Sequence, residues 1–313
     1  MQRFEMINQQ IREAFLLRKK EKPELFENRI KFSWSNWGFG REPFEKSVKR
    51  LSDRGIRFIE LHGNHYGADL GYKAAEVKRI LSDYGVQAAG ICGMFSSEND
   101  LASPNGGQRQ NALDYIKREL AFGKEVGAEY MLVVPGAVGR PVAYDSAEFD
   151  RSVETLRIVA DLFTKHGIKA AIEPIRAAEV SFIHTFDEAK QYIAAVDHPG
   201  VRHINGDLYH MLVSESHMAQ AIVDADEMLV NLHLADTNRG ALGSGMLDVD
   251  TLIMALYLIG YNNRKCYVTP EPLGPGGDPY PAMNGYPEAD MLDRLVSDTV
   301  TCWREREEAV LSL

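Results

Sequence analysis

Four short stretches of this 313-residue chain set an acid or an imidazole where a buried, apolar run gives out. "KAAIEP" carries Glu173, "VRHINGD" carries Asp207, "CYVTPEP" carries Glu271, and "LVNLHLAD" holds His233 between two leucines. Each has an ordinary explanation when taken alone. A glutamate at a strand end is often just solvated, Asp207 could cap the turn that follows it, and a histidine between leucines is commonly a hydrogen-bonded core residue. Jointly they read differently, because three carboxylates brought to one place repel one another unless a cation sits between them. Three hard oxygen donors and one imidazole suit a divalent metal with positions left open for substrate oxygens. Mn²⁺ comes first, Co²⁺ or Mg²⁺ are alternatives, and zinc is less favoured by so oxygen-rich a set. Two further histidines, His62 and His65 in "ELHGNHYG", close another apolar run and are candidates to line the same pocket; exposed loop histidines are the plain alternative.

These residues must be positioned by a repeating framework. From residue 29 onward, polar-apolar helical stretches end in glycine and a short β-branched or aromatic run follows at once. The junctions fall at Gly55, Gly85, Gly127, Gly167, Gly200 and Gly260. Glycine just past a helix C-terminus accepts the left-handed conformation that ends the helix. The runs after it are short and uniformly apolar, as strands buried on both faces are. Strand candidates lie at 30–34, 57–61, 86–91, 129–134, 168–173, 201–206, 228–235 and 265–271, with helical stretches between them. Strict alternation of this kind predicts an α/β fold, a (β/α)8 TIM barrel rather than a doubly wound open sheet. No glycine-rich phosphate fingerprint follows the first strand, which argues further against a dinucleotide fold. Active residues of such barrels sit at the C-terminal ends of the strands. On that rule the fifth to eighth strands present Glu173, Asp207, His233 and Glu271 side by side. Residues 3 to 19 place Phe4, Ile7, Ile11 and Phe15 on one helical face, an extra N-terminal helix that covers one end of the barrel or docks a partner, covering being favoured. The expected division is a helical extension over 1–28 and a single barrel domain over 29–313.

Composition narrows the function. The chain is 45% hydrophobic and 26% charged, with a net charge of −10, which argues against a protein that tracks nucleic-acid phosphates. No apolar run reaches the roughly 18 residues of a membrane span. The N-terminal stretch is charged throughout and does not read as a signal peptide. Three cysteines without a CxxC pair point to a reducing cytoplasm.

The joined pattern "IEPIRAAE…DLYHM…NLHLADTNRG…GSG…TPEP" resembles the metal-dependent ketose 3-epimerases, the D-tagatose/D-psicose 3-epimerase group of the xylose isomerase-like superfamily. "SSENDLASP" (96–104) adds to the likeness, which spans residues 30 to about 273. The resemblance implies that Glu173, Asp207, His233 and Glu271 bind Mn²⁺ or Co²⁺, and that Glu173 and Glu271 exchange the proton at C3 of a ketose. It also implies substrate contacts from Glu179, His210 and Arg239, which stand at the family's offsets from the ligands. Departures touch recognition. Arg176 stands where the family has asparagine, an asparagine-threonine pair is replaced by His184 and Thr185, and a glycine- and proline-rich stretch, 273–291, is expected to fold over the rim.

The expected chemistry is abstraction of a proton next to a carbonyl, with an enediolate as the charged intermediate. A keto-sugar 3-epimerase or isomerase is the first reading. A lyase is the second: the resemblance extends to the catalytic subunit of C-glycoside deglycosidases, where a 3-oxo-glycoside is deprotonated and then loses its aglycone by β-elimination, beside a small second subunit. A non-catalytic sugar-binding barrel would have lost ligands, and a nuclease of the endonuclease IV type would need more histidines and a basic groove. Expected partners are a small sugar substrate and further copies of the chain, or the small second subunit in the lyase case, with neither nucleic acid nor membrane.

Overall fold

The computed structural model describes residues 2–63, 71–274 and 285–313. Seven parallel strands follow one another around the sheet in chain order. They are β1 (Phe58–Gly63), β2 (Gln87–Gly93), β3 (Tyr130–Val133), β4 (Lys169–Ile172), β5 (Val201–Asp207), β6 (Leu229–Leu234) and β7 (Tyr267–Pro270). The first expected strand, 30–34, is reduced to two parallel bridges, Phe32 with Val268 and Ser35 with Glu60. Its backbone serves both neighbours in turn: Ser33 N–H reaches the Val268 carbonyl at 2.8 Å, and the Trp34 carbonyl accepts from Glu60 N–H at 2.8 Å. These isolated bridges join β7 to β1 without a continuous ladder on either side. The chain is a TIM barrel, and β1 to β7 are the second to eighth of the expected strands.

Around the strands lie α1 (Arg3–Glu21), α2 (Phe44–Asp53), α3 (Ala74–Asp83), α4 (Gly106–Val126), α5 (Glu148–His166) and α6 (Phe186–Val196). Then come α7 (Leu208–Ser214), α8 (Met218–Ala225), α9 (Val249–Leu258) and α10 (Ala289–Leu311). None of the described helices is long and apolar enough to cross a membrane. Five of the six junction glycines take positive φ, between 62° and 84°. Gly200 does not. Asp197, with φ 48°, ends α6 instead, while a Cβ at Gly200 would lie 2.4 Å from the Ala160 carbonyl oxygen, so this glycine serves close packing.

The period of two along each strand decides what enters the barrel. In β6 it sends Val230, Leu232 and Leu234 outward to the helices, and Asn231 and His233 inward. All six residues of the strand are buried. Gly90 on β2 clears space for the ring of Tyr130: a Cβ there would sit 2.3 Å from the tyrosine Cζ. The barrel interior at this level is polar, which turns out to matter for the site.

Helix α1 lies along α8 and α9 in the outer layer instead of closing an end of the barrel. Ile11 and Phe15 are buried, Phe4 is exposed, and Phe15 meets Phe26 edge-on at 5.3 Å and Tyr257 at 6.4 Å. Phe15→Ala should therefore cost about 3–5 kcal/mol in chemical denaturation, the usual range for emptying an aromatic core site. A change below about 1 kcal/mol would show that α1 is not integral to the core.

Candidate active site

Strand register brings the expected residues to one rim. Asp207 is the ladder partner of His233 across β5 and β6, and His233 pairs with Thr269, two residues before Glu271. The backbone N–H of Glu271 donates to the Leu234 carbonyl at 3.0 Å, and that of Glu173 to the Val133 carbonyl at 3.1 Å. Ligand atoms of Glu173, Asp207 and His233 all lie within 4.8 Å of one another. His233 Nδ1 lies 3.3 Å from Glu271 Oε1 and 3.5 Å from Glu173 Oε1.

Burial makes this arrangement electrostatically tense. Burial, with Asp207 and Glu271 nearby, pushes the Glu173 carboxyl up to about 8, against hydrogen bonding to His233. Asp207 is also raised by burial and by Glu271, although His210 and His233 pull the other way. For His233 burial alone would lower the pKa, but the carboxylates of Glu271 and Glu60 outweigh it and hold the ring well above the usual histidine range. The cluster thus keeps protons where a cation would otherwise sit.

Neighbouring polar groups aim these side chains. Asn205 Nδ2 donates to Glu173 Oε1 at 2.8 Å, and the Trp37 indole N–H donates to Glu271. On the far side of the imidazole, Nε2 lies 3.0 Å from both oxygens of Glu60, a fully buried acid on β1. Sequence reasoning missed Glu60, Asn205 and Trp37. The available signal was a charged or amide residue inside a strand with no packing reason for it, as in "FIEL" and "HINGD".

The turn after β6 delivers Arg239. Buried Asp236 organises it, accepting from Thr237 N–H at 2.7 Å, Leu247 N–H at 3.2 Å and, through its other oxygen, Gly243 N–H at 2.8 Å. Gly245 lets the chain pass this carboxylate, since a Cβ there would stand 2.1 Å from Asp236 Oδ1. Arg239 itself holds φ at 58°, a costly conformation for a non-glycine residue that tends to persist where function needs it. Its guanidinium lies over the Tyr209 ring at 4.2 Å, and its buried Nη1 has no hydrogen-bond partner among the described residues.

A cavity of about 100 Å³ opens on this rim. Glu173, Asp207, His233 and Glu271 line it, and so do Glu179, His210 and Arg239. The opposite wall is apolar, made of Met94, Phe95, Val134, Val138 and Ile175. His210 Nε2 is 3.3 Å from Asp207 Oδ2. Burial, with Arg239 and Arg176 nearby, drives its pKa down to about 4, against the pull of Asp207, so the ring is neutral. Glu179 is held by Arg176, whose Nε donates to it at 2.6 Å. Of the replaced pair, Thr185 caps α6 by accepting from Glu188 N–H, and His184 Nδ1 is 2.9 Å from the Ile175 carbonyl. His62 is buried at the end of β1 and does not belong to the cavity lining. His65 lies outside the described residues, as does most of the stretch 273–291.

Comparison with known proteins agrees with this fold. The family described as Xylose isomerase-like TIM barrel matches residues 48–288, and the chain belongs to it. The chain is 28% identical over 248 residues to 3-dehydro-D-guloside 4-epimerase of Escherichia coli (strain K12), covering 76% of this chain and 91% of that protein. It is 26% identical to ketose 3-epimerase of Arthrobacter globiformis, over 72% of this chain and 76% of that one. In three dimensions it resembles D-psicose 3-epimerase with D-tagatose from Clostridium cellulolyticum H10, with a TM-score of 0.76 at 22% identity, covering 89% of this chain and 99% of the other. These curated relatives are sugar epimerases.

Asp236→Ala should free the 236–247 turn. Leaving its buried N–H groups without an acceptor costs about 1–3 kcal/mol, and hydrogen exchange across 237–247 should accelerate. Unchanged exchange there would show that Asp236 does not organise the turn.

Proposed function

We propose that this protein is a divalent-metal-dependent enzyme that abstracts a proton next to the carbonyl of a keto-sugar, a 3-epimerase or isomerase acting through an enediolate. The observation that carries this is the convergence of Glu173, Asp207, His233 and Glu271 on one buried rim that lines a cavity, in a chain whose curated relatives are sugar epimerases.

The donor set fits a metal. Raised carboxyl pKa values beside a protonated imidazole mark a place that is short of positive charge. Glu173, Asp207, His233 through Nδ1, and Glu271 are the residues that would hold it, with Mn²⁺ ahead of Co²⁺ and Mg²⁺ on oxygen content. A bound divalent ion supplies Lewis-acid stabilisation of the negative charge that develops on substrate oxygens.

The chain's own groups do the rest. One of Glu173 and Glu271 takes the proton from the carbon beside the carbonyl, and the other returns a proton to the opposite face. Asn205 and Trp37 fix the two carboxylates by occupying one oxygen of each. Neutral His210, with Nε2 toward Asp207, keeps Nδ1 as an acceptor for a substrate hydroxyl. Arg239 offers its unpartnered Nη1 to a substrate oxygen. The apolar wall excludes water from the exchanging carbon.

A second reading, deprotonation of a 3-oxo-glycoside followed by β-elimination of the aglycone, gains support from the apolar wall. That wall suits an aglycone better than a row of hydroxyls. A relative named 3-dehydro-D-guloside 4-epimerase supports the glycoside substrate of this reading, while its named reaction is epimerisation.

Incubating the Mn²⁺-loaded protein with keto-sugars and 3-oxo-glycosides in D₂O, followed by NMR, tests both. Deuterium at the exchanging carbon with an inverted product supports epimerisation, and deuterium with released aglycone supports the lyase. No exchange with any ketone defeats both. Glu173→Gln and Glu271→Gln should each slow exchange by about 10²–10⁴-fold.

The pH dependence follows from Glu173, whose carboxyl moves from an ordinary 4.5 to about 8 on folding without metal. Between these values the folded state keeps a proton that the unfolded state releases, so the metal-free protein loses stability as pH rises through this window. A cation must displace that proton and the one on His233. The gain in melting temperature on adding Mn²⁺ should therefore be larger near pH 8 than near pH 6. An equal or smaller gain near pH 8 would contradict the assignment of Glu173 as a ligand.

A further inference from the structure

Among the described residues, Glu60 is a fully buried acid on a barrel strand and does not line the cavity. It stands on β1 between Ile59 and Leu61, where packing alone would select an apolar residue. A buried carboxylate without compensation costs several kcal/mol, so its partners must explain it. Its oxygens are both 3.0 Å from His233 Nε2. The Tyr130 hydroxyl donates to it at 2.8 Å, and Asn231 Nδ2 lies within 3.4 Å. Asn231 also donates to Asn205 Oδ1 at 2.7 Å, and Asn205 in turn donates to Glu173 at 2.8 Å. Thr269 Oγ1 donates to Asn231 Oδ1 at 2.6 Å and fixes which way that amide faces. One chain of hydrogen bonds therefore runs from Glu60 to His233 directly, and to Glu173 through two asparagines.

We propose that Glu60 is a positioning residue for the metal centre: it accepts a hydrogen bond from His233 Nε2–H and holds the proton on that nitrogen, so that the ring presents the Nδ1 lone pair to the ion, and it anchors the amide chain that orients Glu173. This rests on the metal-dependent reading above. The two faces of the imidazole support it. Nε2 meets only Glu60, whereas Nδ1 lies toward Glu173, Glu271 and Asn205. A carboxylate on the remote N–H fixes both tautomer and ring orientation and makes the ligating nitrogen more basic. Glu60 also lies within 4.8 Å of Cys92 and Glu271, ligand atom to ligand atom, but its oxygens are engaged by His233 and Tyr130. It is not a catalytic residue, since it does not line the cavity.

The test is Mn²⁺ binding to metal-stripped protein, measured by calorimetry or by EPR of the free ion, alongside the melting temperature of the metal-free form. Glu60→Gln should weaken binding by about 10–100-fold, the usual cost of removing such an outer partner. Phe15→Ala, destabilised far from the site, is the control and should keep the wild-type affinity, which separates positioning from general loss of stability. Should Glu60→Gln not fold, Tyr130→Phe removes one hydrogen bond from Glu60, and its affinity should fall severalfold. Wild-type affinity in Glu60→Gln, or in Tyr130→Phe where only that variant folds, overturns the positioning role while leaving the metal reading intact. A wild-type protein that binds no Mn²⁺ defeats the metal reading itself.

Discussion

The rest of the structure depends on one electrostatic constraint: an imidazole buried among carboxylates at the end of a closed barrel. His233 has Glu60 on one side and Glu173 and Glu271 on the other, with Asp207 beside it in the ladder. Such a cluster cannot stay fully ionised away from water, so without a cation it holds protons. Burial of these side chains keeps water from relieving the charge, and the inward period of β5 and β6 brings Asn205, Asp207, Asn231 and His233 to the same interior. The fold concentrates charge here and supplies few means of dissipating it. On the proposed reading, a divalent ion resolves this conflict with the donor atoms already in place.

Much of this was legible in the sequence because it is written locally. Glycine-ended helices followed by short apolar runs gave the alternation, and with it the barrel. Each of Glu173, Asp207, His233 and Glu271 interrupts or ends its own run, so strand position alone sufficed to align them. Illegible features depend on what lies across the barrel. Glu60 and Asn231 read as odd polar residues inside strands until His233 and Asn205 are set opposite them. Trp37 precedes β1 by some twenty residues and is meaningful only through Glu271. The first strand is overestimated from its apolar run, since only isolated bridges form there. Asp197 took the role expected of Gly200 because an aspartate tolerates the left-handed turn and the space around Gly200 is closed.

Recognition and chemistry separate cleanly in space. The charged rim is held by strand ends and interior amides, whereas the residues that depart from the resembled family lie around it. Arg176 has taken hold of Glu179 and flanks Tyr209 together with Arg239, so the polar side of the cavity carries a linked set of guanidinium and phenol groups. Thr185 is absorbed by helix capping and His184 by a backbone carbonyl, so neither replacement is free to read a sugar. The remaining wall is apolar. On the proposed reading, a substrate puts its oxygens toward His210 and Arg239 and a less polar part toward Phe95 and Ile175, all of which line the cavity.

The central claim, that this buried cluster is a metal centre, is tested most directly by anomalous diffraction from crystals of the Mn²⁺-loaded protein. The account predicts a single strong peak per chain between Glu173, Asp207, Glu271 and the Nδ1 face of His233, with Glu60 still on Nε2. A cluster without anomalous signal at saturating Mn²⁺, with His233 still protonated between the carboxylates, would contradict it.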